Sequence, residues 1–170
     1  MRARTDIRLA GAGGQGVAMA GKILAEAALM SGRFAAFSQV YGPESRGGAS
    51  RSDVVISDSE IGFPLTQHLD VLVVLTPEAA RKFAVNMDNG LVFVADEKAA
   101  GGGFPIVDAS RSITGGVVAT GVVALGVLEA VSSLVGVEAL ERAVVALAPK
   151  QHRDANLKAL ASGIEMGNSR

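Results

Sequence analysis

The chain has 170 residues, with 16 Lys+Arg against 17 Asp+Glu, a formal net charge of −1, two His, no Cys and no Trp. That length predicts one domain over 1–170 with a core that needs no staples, and the absent cysteine excludes disulfides, thiolate-held iron–sulfur clusters and a thiolate nucleophile. A balanced charge argues against a whole-surface grip on nucleic acid, and the wide separation of His68 and His152 argues against a zinc pair. Hydrophobic residues make up 49% and charged residues only 19%, against a usual ~25% charged. Such a chain either lies in a membrane or hides apolar surface against partners.

Along the chain, residues 7–11 read as a short strand. Gly11-Ala-Gly-Gly-Gln-Gly16 follows, then an amphipathic helix with Val17, Ala20, Leu24, Ala27 and Ala28 at three- and four-residue steps, ended by Gly32. No long apolar leader precedes the strand, which predicts a cytoplasmic chain. Residues 34–38 fit a second strand, and Tyr41-Gly-Pro-Glu-Ser-Arg-Gly-Gly48 is a loop by its turn residues. Residues 49–57 and 61–63 flank Asp58-Ser-Glu60 and predict a short antiparallel strand pair. The unbroken Val71, Leu72, Val73, Val74 and Leu75 predict a strand over 70–75 buried on both faces. Thr76-Pro-Glu78 then supplies an N-cap, a first-turn proline and an acid at the positive end of a helix reaching residue 85. Further strands are expected at 91–95 and 104–107, then helices over 116–135, 137–148 and 154–165, the last after the break at Pro149. Strands alternating with helices predict an α/β fold, a mostly parallel sheet with helices on both faces.

The uncharged run 112–128 nears the length of a membrane span. It holds Gly115, Gly116, Gly121 and Gly126, is bounded by Arg111 and Glu129, and has no aromatic belt. It predicts a buried helix whose small residues admit another helix or subunit, and no membrane span.

Gly11-x-Gly13-x-x-Gly16, between strand and helix, matches the dinucleotide fingerprint. A turn without side chains lets backbone N–H groups approach a phosphate at a helix N-terminus; the same run also fits a tight turn with no ligand. The acid expected about 20 residues on, which would hold a ribose, is missing. No Asp or Glu lies between Glu26 and Glu44, and Arg33, Arg46 and Arg51 come instead. A ligand with an additional phosphate, such as coenzyme A or a 2′-phosphorylated nicotinamide, suits that charge better than NAD. Gly16-Val-Ala-Met-Ala-Gly21-Lys22-Ile23 mimics P-loop spacing but has Ile where Ser or Thr must bind magnesium, so Lys22 reads as a solvated helix residue.

The most distinctive run is Tyr41-Gly-Pro-Glu-Ser-Arg-Gly-Gly48. It holds the chain's one Tyr and two adjacent glycines that permit close backbone approach; read blandly, it is a loop with a surface Glu44–Arg46 pair. Other notable features are Gly11-Ala-Gly-Gly-Gln-Gly-Val17, Ser50-Arg-Ser-Asp-Val-Val-Ile-Ser-Asp58, Ile61, Pro64, the strand at 70–74 and the C-terminal helix with Asn156. With these motifs the sequence resembles, over nearly its whole length, the gamma subunit of the 2-oxoacid:ferredoxin oxidoreductases. Arg46-Gly-Gly-Ala-Ser-Arg-Ser is most similar to the 2-oxoglutarate type.

The resemblance implies a division of labour. Enzymes of this family decarboxylate a 2-oxoacid on thiamine diphosphate, pass electrons through iron–sulfur clusters to ferredoxin, and give the acyl group to coenzyme A. It implies a Rossmann-like domain that is not catalytic alone and that helps bind or admit coenzyme A. Its implied partners are alpha and beta subunits and, where one exists, a ferredoxin-like delta subunit, with ferredoxin itself at one remove. Thiamine diphosphate and the clusters are implied to sit on those partners, in agreement with the missing cysteines. Carried over by motif, Gly11, Gly13, Gly14, Gln15 and Gly16 form the loop facing coenzyme A, and Arg46 is the charged contact; no catalytic or metal-ligating residue is implied. Thr120 departs from the pattern, standing where gamma chains usually carry Asn, which leaves no amide there for a subunit contact. Arg51 and Asp53 read as strand residues on a solvent face, with a ligand contact for Arg51 the lesser reading. The alternatives are a free-standing NADP-dependent dehydrogenase and a nucleotide-binding regulatory module.

Overall fold

In the computed structural model, which describes residues 3–40, 48–83 and 92–169, the first apolar alternation becomes the middle of a sheet. Strand β1 (Arg4–Ala12) sends Ile7 and Leu9 into one core and Ala10, with Asp6 and Arg8, to the opposite face. Beside it lie β3 (Ala49–Ser57) and β4 (Val71–Val74), flanked by β2 (Phe34–Val40) and β5 (Val92–Ala95), in the order β2-β3-β1-β4-β5. β4 and β5 run parallel to β1, whereas β3 is antiparallel to both β1 and β2. β3 alone therefore opposes the other four strands, and the sheet is mostly parallel in direction, as the sequence predicts.

The antiparallel element itself differs from the expectation. Residues 49–57 pair with β1 and β2, and 61–63 form no strand. Gly62 and Pro64 make that short stretch a poor ladder partner. The segment instead straps the sheet: Arg4 donates to the carbonyls of Phe63 and Leu65 at 2.9 and 2.8 Å, and Asp6 Oδ2 accepts from Gln67 N at 2.6 Å.

Helices cover both faces unequally. α1 (Val17–Met30) lies on the Ile7/Leu9 face. α2 (Pro77–Phe83) lies on the other, through Ala79 and Phe83. Thr76 caps α2 as expected, its Oγ1 accepting from Ala79 N at 3.1 Å; residues 85 and 91 lie outside the described residues. Residues 104–107 are not a strand. Phe104 makes one parallel bridge to Asp96, and α3 (Ile106–Thr114) begins two residues later. Buried Asp96 decides this, because its Oδ2 accepts from Val107 N at 2.8 Å and so caps a helix whose own cap position is Pro105.

The long helix expected over 116–135 is shorter, α4 (Thr120–Ser132), and the uncharged run is shared between α3 and α4. No helix among the described residues is long and apolar enough to cross a membrane. α4 is buried throughout its first ten residues, shares one core with α5 (Val137–Leu147), and packs on α1 and α6 (Arg153–Asn168). Small residues let it do so: a Cβ on Gly126 would lie 2.8 Å from Ile164 N and strike Leu160 O, and one on Gly163 would strike Val123 O.

Candidate functional site

β1 and β4 are adjacent parallel strands whose connections leave to opposite faces, one into α1 and the other into α2. The crevice at the carboxyl ends of such a pair is where open α/β sheets bind ligands. Residues 11–16 occupy that position.

The loop is fastened on several sides. Gln15 N donates to Ala12 O at 3.2 Å, and the Gln15 side chain folds back so that Oε1 accepts from Ala12 N at 2.7 Å. Gly13 N donates to Gly48 O at 3.2 Å, and Gly121 N donates to Gln15 O at 2.9 Å. The first glycine-rich motif thus meets both the end of the second motif and the first turn of α4. Gly11 and Gly16 are present for close approach: a Cβ at Gly11 would lie 2.6 Å from Gln15 Oε1, and one at Gly16 2.5 Å from Val118 O.

What remains open is the tip. Gly13 and Gly14 are exposed. Gly14 has φ +88°, with nothing within 4 Å of where a Cβ would stand. Just beyond, α1 follows Gly16 at its N-cap position, with no side-chain cap and no acid in its first turn. The unpaired N–H groups of a helix start carry partial positive charge, so this mouth suits an anion. Of the site residues expected from the sequence, Gly13 and Gly14 face the opening, while Gly11, Gln15 and Gly16 shape it. Gln15 is buried and its amide oxygen is engaged with Ala12, so its side chain belongs to the turn.

Arg46 lies outside the described residues, with the rest of 41–47. The flanking Val40 and Gly48 stand at the same sheet edge as the loop, Val40 opposite Arg51 and Ala49 opposite Ala12. Arg33 is at the other end. It precedes β2, whose seven residues span roughly 20 Å, and its Nε donates to Asp58 Oδ1 at 2.7 Å, so it is no partner for a phosphate at the loop. Asp53 is not on a solvent face: it is buried, and Arg8 grips it with two bonds of 2.8 and 2.9 Å. Lys22 is exposed on α1, as expected.

Sequence reasoning missed three supports. Buried Ser52 donates its hydroxyl to Val17 O at 3.0 Å and so fixes the start of α1 on β3; among three serines of that strand nothing in the sequence singled it out. Buried Thr120 donates to Val117 O at 2.7 Å and closes the turn that meets Gly16. Val118, 65% exposed, forms an apolar lip beside the loop.

Residues 6–166 match the family profile of the pyruvate ferredoxin/flavodoxin oxidoreductases. The chain belongs to this family. It is similar to the 2-oxoglutarate synthase subunit KorC of Archaeoglobus fulgidus, 37% identical over 171 residues, covering 98% of this chain and 90% of that relative. The gamma subunit of the keto/oxoacid ferredoxin oxidoreductase from Geobacter sulfurreducens superposes with a TM-score of 0.84 at 36% identity, over 98% of this chain and 97% of that one. A 2-oxoglutarate:ferredoxin oxidoreductase from Magnetococcus marinus, with 2-oxoglutarate, coenzyme A and succinyl-CoA bound, shares the fold. Its TM-score is 0.85 at 19% identity, over 100% of this chain and 32% of that chain. The chain is thus a gamma-type subunit of an oxidoreductase family, matched nearly end to end by gamma relatives.

Proposed function

We propose that this chain is the gamma subunit of a ferredoxin-linked 2-oxoacid oxidoreductase of the 2-oxoglutarate type, one cytoplasmic domain over 1–170, and that its glycine loop receives a phosphate of coenzyme A. The observation that carries the ligand is the open Gly13–Gly14 turn before the uncapped start of α1. Coenzyme A presents a pyrophosphate; Gly13 N is already given to Gly48 O, so the Gly14 N–H and the open first turn of α1, with the helix dipole, favour that charge. Arg46, two residues before Gly48, adds a charge-assisted hydrogen bond worth about 1.5–3 kcal/mol. Thiamine diphosphate and the iron–sulfur clusters belong to the alpha and beta subunits, with a ferredoxin-like delta subunit where one exists. The 170 residues hold no cysteine to ligate a cluster. The part played by this chain's own residues is to bind and orient the acyl acceptor beside chemistry done by its partners.

Gly14→Asp and Gly14→Asn test the loop in the assembled enzyme. Both side chains tolerate the left-handed region, and they match in size while differing in charge and in the amide's N–H donors. Asp is expected to weaken coenzyme A binding about tenfold or more relative to Asn, as a like charge within several ångströms of a phosphate should. Equal affinities in a direct titration would remove the assignment. Arg46→Ala is expected to weaken binding by about 10–150-fold with subunit composition unchanged.

A further inference from the structure

Arg51 carries more charge than the described residues around it neutralise. Its carboxylate neighbour among the described residues, Asp53, is already held by Arg8 at 2.8 and 2.9 Å and by the Thr66 hydroxyl at 3.2 Å. Arg51 Nε stands 3.6 Å from Asp53 Oδ2, is buried, and has no hydrogen-bond partner among the described residues. Its guanidinium lies 5.6 Å from the centre of the Phe83 ring. Arg8, Asp53 and Arg51 together bear one net positive charge. The Arg51 side chain is 28% exposed, so it is not sealed from solvent. Half-buried guanidinium groups ordinarily find acceptors.

Its position gives the missing acceptor a direction. Arg51 pairs in register with Ala10 of β1 and Val40 of β2. It is three residues from Gly48, whose carbonyl holds Gly13 N, which sets its Cα about 10 Å along the strand from the loop. The Phe83 contact puts the guanidinium on the α2 face of the sheet, across the switch point from α1.

We infer that Arg51 binds a second anionic group of the ligand whose first lies on the glycine loop: the ribose 3′-phosphate of coenzyme A, with the pyrophosphate at Gly13 and Gly14. This assignment rests on the coenzyme A reading of the loop. The Phe83 face steadies the guanidinium, and its fork of N–H groups matches a phosphate dianion with two parallel bonds. The loose contact with Asp53 keeps the cation in place without using its donors.

The test titrates the assembled enzyme, wild type and Arg51→Gln, with coenzyme A and with dephospho-coenzyme A, which lacks only the ribose phosphate. The Gln variant is expected to lose about 10–150-fold in affinity for coenzyme A and less than about twofold for the dephospho form. Unchanged coenzyme A affinity, or a parallel loss for both ligands, overturns the assignment. If Arg51→Gln fails to assemble, Arg51→Lys, which keeps the charge but not the fork, carries the test: a loss confined to coenzyme A supports it and equal behaviour overturns it. The two readings fail separately. If Gly14→Asp weakens coenzyme A binding and Arg51→Gln does not, Arg51 alone is misassigned; if neither does, the loop reading has failed.

Discussion

Glu129 shows how much a single buried carboxylate organises in this chain. Its two oxygens accept from Leu134 N, Val135 N and Gly136 N at 3.1, 3.0 and 2.9 Å, tying the end of α4 to the start of α5. Glu129→Ala would orphan three backbone donors and is expected to cost about 2–4 kcal/mol, read as a lower denaturant midpoint with an unchanged slope. Glu129→Gln should also destabilise, because one acceptor becomes a donor facing N–H groups; a neutral result for both would contradict this account. At the opposite extreme, exposed Asp108 is held below 3.8 by the hydrogen bond from Lys98, assisted by the charges of Lys98 and Arg111. Its folded pKa is lowered, so its small contribution is present above the unfolded value and fades as pH falls through the lowered one; a titration midpoint at or above 3.8 would contradict the pairing. The same scale marks where sequence was least informative. A glycine-rich run shows that backbone approach is possible, but not that the Gln15 amide turns back onto Ala12. Arg33 looked equivalent to Arg51 in the sequence, yet the two stand at opposite ends of the sheet, because neither strand direction nor register is written in residue type.

At the scale of elements, local signals succeeded where the physics is local. The cap-proline-acid triplet at Thr76 opened α2, and four residues of the expected strand over 70–75, Val71–Val74, became a fully buried strand. They failed where a distant residue decides. Phe104 to Val107 is apolar enough for strand or helix, and it was Asp96, ten residues away in sequence from Ile106, that made it a helix start. Residues 61–63 were expected to pair with their neighbour, but Arg4 of β1 holds the Phe63 carbonyl and Asp6 of the same strand holds Gln67 N just beyond. The α4–α6 crossing offers a direct test of the small-residue reading. Alanine is the better helix former by about 1 kcal/mol. Gly126→Ala is nonetheless expected to destabilise by a net ~1–3 kcal/mol, because its methyl meets the α6 backbone. A stabilised variant would show that the helices do not touch this closely.

For the whole molecule, the apolar, charge-poor composition predicted surface reserved for partners. Val118, Leu29, Leu65 and Phe63 are each about half exposed or more, and the matched Archaeoglobus fulgidus and Geobacter sulfurreducens chains are subunits of multi-subunit enzymes, the latter a gamma subunit. Purification from the native source is expected to yield this chain together with other subunits, thiamine diphosphate and iron; a chain recovered alone under gentle conditions would contradict the assembly. The central claim, that this subunit lends a phosphate cradle to chemistry performed by its neighbours, is tested most directly by hydrogen exchange on the assembled enzyme with and without coenzyme A. The account predicts slowed exchange at the amides of residues 13–19 when coenzyme A is bound. Full-affinity binding with exchange at those amides unchanged would contradict it.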